Sequence, residues 1–204
     1  MTYQLSNQKS RDKLTTEEIS SYHDLVFEVF VHGLKPEEIS EVINTLRLFK
    51  PKKTEVNVLK EIPESFLNLV RRQYDGVLIA EWVNSLRTTR DSVILGVMNV
   101  DAYVEPLNFI FGIALPKLKV ATVYVIRLRI GGRKNEFLIR VRKEVIHELG
   151  HVFGLKHCRN KSCVMSFSNS LADVDKKDFR MCNEHYTELK NILPYVNDEL
   201  LLRT

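Results

Sequence analysis

Three histidines stand close together in the segment HELGHVFGLKH, residues 147–157. His147 and His151 are four residues apart, so on a helix both rings project from one face, about 6 Å apart. Two such nitrogens can reach one ion at about 2.0–2.1 Å. Gly154 can adopt the left-handed conformation that ends a helix sharply, and that turn would bring His157 towards the same ion. Three neutral imidazoles leave zinc one open coordination position, which is the arrangement of catalytic zinc sites.

Glu148 follows the first of these ligands directly and is poorly placed to join the same tetrahedron. It can instead reach a water molecule on the open position. A zinc ion lowers the pKa of such a water towards neutrality, and Glu148 can accept the released proton as general base. The sequence therefore predicts a zinc-dependent hydrolase, with peptide-bond hydrolysis as the leading hypothesis. Two alternatives are surface histidines on a solvated helix and a zinc site without catalysis.

A second cluster of metal-binding residue types begins immediately after this segment. Its spacing is C-x4-C, a long loop, and then C-x2-H, and its members are Cys158, Cys163, Cys182 and His185. Three thiolates and one imidazole make a closed site, which zinc occupies structurally rather than catalytically. The alternative is that the cysteines are buried and unligated, and behave as small apolar side chains. We expect two zinc ions, one catalytic and one structural.

The order of these motifs resembles a known family. HExxHxxGxxH followed by a downstream methionine is the metzincin signature, and the continuation HCRNKSCVM and CNEH resembles the archaemetzincin branch. Residues 100–114, VDAYVEPLNFIFGIA, also resemble the archaemetzincin stretch before the active-site helix. The resemblance implies a zinc metallopeptidase in which Met165 is the Met-turn residue beneath the catalytic metal. The family pattern ends in C-x2-C, whereas this chain has His185, which is a competent zinc ligand, at the last position.

Hydrophobic periodicity predicts an α/β protein with a mixed sheet. The resemblance implies a metzincin-like single domain in which that sheet is twisted. The active-site helix is expected at about 135–153, because its apolar positions recur every three or four residues and form one buried stripe. We expect a polar leader at 1–21, one catalytic domain at 22–204, and a C-terminal subdomain stapled by zinc at 158–185.

The remaining elements follow from shorter patterns. Alternating or continuous apolar runs rich in β-branched and aromatic residues predict strands. These runs lie at 22–32, 54–62, 91–100, 107–115 and 119–130. Helical spacing predicts helices at 35–50, 64–87 and about 183–193, with a possible interruption of the second at Asp75-Gly76. The resemblance to metzincins implies that a peptide substrate could bind as an added strand along the edge that 107–115 provides.

Composition limits the partners and the compartment. The chain has 204 residues, 44% hydrophobic and 27% charged, with a net charge of +4. The first twenty residues lack an apolar signal region, and no stretch approaches a membrane span, so we expect a cytoplasmic protein without a membrane partner. The expected partner is a peptide or protein substrate.

Two other functions are compatible with these motifs. One is a zinc-binding metzincin-fold protein with no or very narrow peptidase activity, because a fold does not guarantee a reaction. The other is a nucleic-acid-binding zinc module, which would use the basic residues Lys156, Arg159 and Lys161 around the cysteines. These three residues are better explained as solvated loop charges, and the net charge is too small to argue for nucleic acid.

Overall fold

A six-stranded mixed sheet forms the centre of the protein in the computed structural model, which describes residues 2–4, 22 and 24–202. Its strands are β1 (Thr2–Gln4), β2 (Val26–His32), β3 (Lys53–Leu59), β6 (Val93–Met98), β8 (Gly112–Leu115) and β9 (Val120–Tyr124). They lie in the order β1-β8-β9-β6-β2-β3, and only β8 and β9 run antiparallel to each other. A small second sheet contains β4 (Leu67–Asn68), β5 (Gln73–Asp75) and β7 (Ala102–Tyr103).

The α-helices of the described residues are α1 (Pro36–Leu46), α2 (Gly76–Ser85), α3 (Lys134–Val152), α4 (Leu171–Lys176) and α5 (Asn183–Ile192). Of these, α2 and α3 pack against opposite faces of the large sheet. Because side chains alternate along a strand, β2 contributes to two cores. Val29 packs in the larger core with α1 and α3, whereas its neighbour Phe30 packs in the smaller core with α2. The sheet thus supplies a rigid support on which α3 lies with its C-terminal half buried.

Most of the predicted elements are confirmed with shifted ends. The predicted strand at 91–100 is β6, which is buried at every position, and the predicted active-site helix is α3. The strand predicted at 119–130 ends at Tyr124 and is followed by a 3-10 turn, Arg127–Arg129. The short helix α4 was not predicted. Of the predicted leader at 1–21, Thr2–Gln4 form β1, and all its other residues lie outside the described part of the chain.

Two predictions about secondary structure hold for only part of their range. The helix predicted at 64–87 begins at Gly76, where an interruption was expected, because the Asp75 carboxylate caps it by accepting hydrogen bonds from the amides of Val77 and Leu78. Before it, the chain makes a 3-10 turn and the β4–β5 hairpin, and Arg72 has a left-handed φ of 54° in the turn. The strand predicted at 107–115 is confined to β8, and residues 107–111 form a loop apart from an isolated bridge at Ile110.

Candidate metal centres

The end of α3 is built to turn the chain back on itself. After the last helical residue, Gly154 adopts a left-handed φ of 85°. The amide of Leu155 then donates to the carbonyl of Gly150 at 2.9 Å, and the amide of Gly154 donates to that of His151 at 3.0 Å. This pair of bonds is a Schellman motif, which reverses the chain direction within two residues. It carries His157 back towards the face of α3 that holds His147 and His151.

The three histidine rings converge as the spacing predicted. Nε2 of His151 lies 3.1 Å from Nε2 of His147 and 3.2 Å from Nε2 of His157. Nitrogens bound at about 2.0–2.1 Å to one tetrahedral zinc ion lie about 3.3–3.4 Å apart. The separations in the structure therefore fit a shared zinc ion without rearrangement of the rings.

Backbone carbonyls fix which nitrogen of two rings faces the centre. Nδ1 of His147 donates to the carbonyl of Val164 at 2.7 Å, and Nδ1 of His151 donates to the carbonyl of Leu155 at 2.8 Å. A carbonyl oxygen can only accept, so the proton of each ring lies on Nδ1 and the lone pair lies on Nε2. Such bonds to the outer nitrogen orient metal-binding histidines and raise their basicity as ligands.

Burial keeps these rings neutral in the metal-free protein. Loss of solvent lowers the pKa of His147 well below its usual value, and the charge of Lys177 lowers it further. Burial, followed by the neighbouring His157, lowers the pKa of His151 to about 3. Burial also lowers the pKa of His157. Because a metal binds the neutral imidazole, the three rings are ready to act as ligands at neutral pH.

Glu148 is completely buried beside the triplet, and neither carboxylate oxygen has a hydrogen-bond partner among the residues that the structure describes. Burial, and then the charge of Glu144, raise the pKa of Glu148 well above its usual value. Burying a carboxylate without a hydrogen-bond partner costs free energy. A nearby metal ion and its bound water would offset that cost. A Cβ atom at Gly112 would come within 2.6 Å of the Glu148 side chain, so the start of β8 needs a glycine there.

A buried ion pair lies next to this centre, and no sequence motif indicated it. Nζ of Lys177 is 2.9 Å from Oε1 of Glu144, and both side chains are fully buried. Apart from this ion pair, neither group has a hydrogen-bond partner within the described ranges. Glu144 lies one helical turn before Glu148, a spacing that the sequence shows. Lys177 follows α4 and is distant in sequence, so no local pattern pointed to it.

Met165 lies directly against the active-site helix. It is completely buried, and a Cβ atom at Gly150 would clash with its sulfur. Its carbonyl accepts a hydrogen bond from the amide of Cys158 at 2.9 Å. Met165 therefore packs against the turn of α3 between His147 and His151.

The second predicted cluster is also assembled. The ligand atoms of its four members lie within 4.8 Å of one another, and the members are Cys158, Cys163, Cys182 and His185. Sγ of Cys158 is 3.7 Å from Sγ of Cys182, which in turn is 3.3 Å from Nδ1 of His185. Thiolates at about 2.3 Å from a tetrahedral zinc ion lie about 3.8 Å apart. The four residues thus fit a closed zinc site.

The three basic residues near the cysteine cluster lie at the surface. Lys156, Arg159 and Lys161 are all exposed, in the loop between His157 and Cys163 or just before it. Charges on an exposed loop are usually solvated. In the described part of the chain, no helix is both long and apolar enough to cross a membrane.

The chain is similar to known proteins. The sequence model of peptidase family M54 matches residues 17–191. The chain is 44% identical over 142 residues to an archaemetzincin of Methanocaldococcus jannaschii, an alignment that covers 67% of this chain and 77% of that protein.

Two solved structures share the fold. The crystal structure of an archaemetzincin from Methanopyrus kandleri has a TM-score of 0.75 and 32% identity, covering 84% of this chain and 97% of that one. The crystal structure of a zinc-dependent peptidase from Methanocorpusculum labreanum has a TM-score of 0.72 and 26% identity, covering 80% and 99% of the two chains.

Proposed function

Because the chain belongs to peptidase family M54, the archaemetzincins, and is therefore a zinc metallopeptidase, we propose that His147, His151 and His157 hold its catalytic zinc ion. Glu148 is the general base beside that ion. The observation that carries this assignment is the convergence of three Nε2 atoms at zinc-like separations next to a buried carboxylate that has no other partner.

A bound zinc ion supplies Lewis-acid chemistry, which polarises a carbonyl oxygen and makes water more acidic. The chain's own residues supply the proton transfers. Glu148 takes a proton from the attacking water and later gives it to the nitrogen of the cleaved peptide bond. Burial raises the pKa of Glu148, and a carboxylate with a raised pKa accepts a proton more readily, which suits its role as the base.

A second zinc ion has a structural role in this proposal. Cys158, Cys163, Cys182 and His185 would hold it and leave no open position. Their loop is continuous with the one that carries His157, and the amide of Val164 donates to the carbonyl of Arg180 at 2.8 Å. Because Val164 also orients His147, a metal at this site would stabilise the catalytic triplet indirectly.

Peptides are the substrates that family membership implies. We propose that an extended peptide binds along β8, which begins at Gly112 next to Glu148. The outer edge of β8 is paired with Thr2–Gln4 in the structure, in register from Gly112 to Ala114. A peptide using that edge must displace β1. We also propose a cytoplasmic location, because the three cysteines converge as free thiols on one metal site.

Substitution Glu148→Gln tests the assignment of the general base. The variant keeps the size of the side chain but cannot accept the proton, so we expect cleavage of a broad peptide library to fall by at least about 100-fold. Zinc content per chain should stay unchanged, since Glu148 is not a ligand. Glu188→Gln, an exposed glutamate on α5, is the matched control and should retain full activity. Retained cleavage in Glu148→Gln would reject Glu148 as the base.

A further inference from the structure

His185 faces two partners with its two ring nitrogens. It lies in the first turn of α5 and is only 7% exposed. Nδ1 lies 3.3 Å from Sγ of Cys182, on the side of the cysteine cluster. Nε2 lies 3.0 Å from the carbonyl oxygen of Lys156, on the opposite side of the ring.

The carbonyl of Lys156 decides the tautomer of this ring. A carbonyl oxygen only accepts hydrogen bonds, so Nε2 carries the proton and donates it. Nδ1 then presents its lone pair to the sulfur atoms, where it can bind the metal. His185 thus combines two tasks in one side chain, a metal ligand at Nδ1 and a hydrogen-bond donor at Nε2.

The bond to Lys156 reaches the loop that positions the third catalytic ligand. His157 is the only member of the triplet that does not lie on α3. The backbone around it is held at three points: the carbonyl of Leu155 by His151, the amide of Cys158 by Met165, and the carbonyl of Lys156 by His185. The last of these is the side-chain hydrogen bond that joins the cysteine cluster to this loop.

A cysteine at position 185 could not do the same. Its single sulfur could bind the metal, but it would have no second atom with which to donate to the carbonyl of Lys156. The presence of histidine at this position therefore adds a contact that a four-cysteine site lacks.

We infer that His185 is a positioning residue for the catalytic centre, which ligates the structural zinc ion through Nδ1 and holds the His157 loop through Nε2. This inference rests on the proposed function of the two metal sites. Through this contact, zinc bound at the cysteine site strengthens metal binding at the histidine triplet.

The tautomer can be measured directly on the wild-type protein. In ¹⁵N NMR spectra of the zinc-loaded chain, we expect the His185 signals to show a protonated Nε2 and a metal-bound Nδ1. The reverse pattern, with Nε2 bound to metal or Nδ1 protonated, would overturn the inference. Two zinc ions per chain together with the reverse pattern would leave the proposed function intact, whereas a wild-type protein that binds no metal at the histidine triplet would reject the function itself.

Substitution His185→Cys separates the two tasks of the ring. It retains a fourth ligand and removes the donor, so cobalt bound at the cysteine site should still show its thiolate charge-transfer absorption. Competition with a chelator should then show about tenfold weaker zinc binding at the histidine triplet, the scale expected when a second contact of a ligand loop is lost.

The control is His32→Asn, since His32 donates to the carbonyl of Leu59 away from both sites. It should leave both affinities unchanged. Unchanged zinc affinity at the triplet in His185→Cys, with the cysteine site loaded, would show that His185 is a ligand only.

Discussion

Removing the ammonium group of Lys177 tests how the buried charges beside the catalytic centre are compensated. Lys177→Met keeps most of the side-chain volume but leaves the carboxylate of Glu144 buried without its partner at 2.9 Å. Breaking a fully buried ion pair from one side costs about 3–5 kcal/mol, because an uncompensated charge remains in the interior. For a chain of this size each kcal/mol shifts the melting temperature by roughly 2–4 °C. We therefore expect Lys177→Met to melt roughly 6–20 °C below the wild type.

The double variant Glu144→Leu/Lys177→Met removes both charges and should recover most of the loss. Replacing both partners of a buried pair by hydrophobic residues of similar volume is often neutral or stabilising by about 1–4 kcal/mol. Thermal unfolding followed by circular dichroism, at one fixed zinc concentration, measures both variants. Lys52→Met is the control, since Lys52 pairs with Asp24 at the surface and such a pair contributes about 1 kcal/mol or less. If Lys177→Met melts like the control, or the double variant melts as low as the single one, the reasoning is refuted.

Three further predictions concern the approach to Glu148, the edge of β8 and acid stability. Gly112→Ala should push the Glu148 side chain aside and lower kcat by about tenfold or more, with unchanged zinc content. A normal kcat would contradict the close approach of Gly112 to the Glu148 side chain. A variant that begins at Tyr22 exposes the outer edge of β8 and should lower KM for peptides, whereas a raised or unchanged KM would show that peptides do not use that edge. Burial opposes the charge of Glu28, but hydrogen bonds from Ser92, Thr88 and Thr89 lower its pKa to about 2 from 4.5. A carboxylate whose pKa is depressed in the folded state stabilises the protein above pH 4.5, and this stabilisation is lost as the pH falls towards 2. The free energies of unfolding of wild type and Glu28→Gln, measured with urea, should therefore converge as the pH is lowered over that range.

The histidine triplet could be predicted from the sequence because its geometry is local. Two ligands are one helical turn apart, and a glycine with φ of 85° returns the third within six residues. The cysteine cluster was predictable from residue types alone, although its assembly depends on the distant pairing of Val164 with Arg180.

Contacts between distant segments could not be predicted. The carbonyl of Val164 that orients His147 has no side-chain signature, and Lys177 reaches Glu144 only because α4 packs against α3. The helix predicted at 64–87 is shortened for a different reason. Apolar spacing suggested one helix, but the capping carboxylate of Asp75 starts a helix at Gly76 and leaves the preceding residues free to form a hairpin.

The central claim is that three imidazoles hold one zinc ion beside Glu148. Anomalous diffraction at the zinc edge, from crystals of the zinc-loaded protein, tests it most directly. We expect an anomalous-difference peak about 2.0–2.1 Å from the Nε2 atoms of His147, His151 and His157. Zinc-loaded crystals without a peak between these three rings would contradict it.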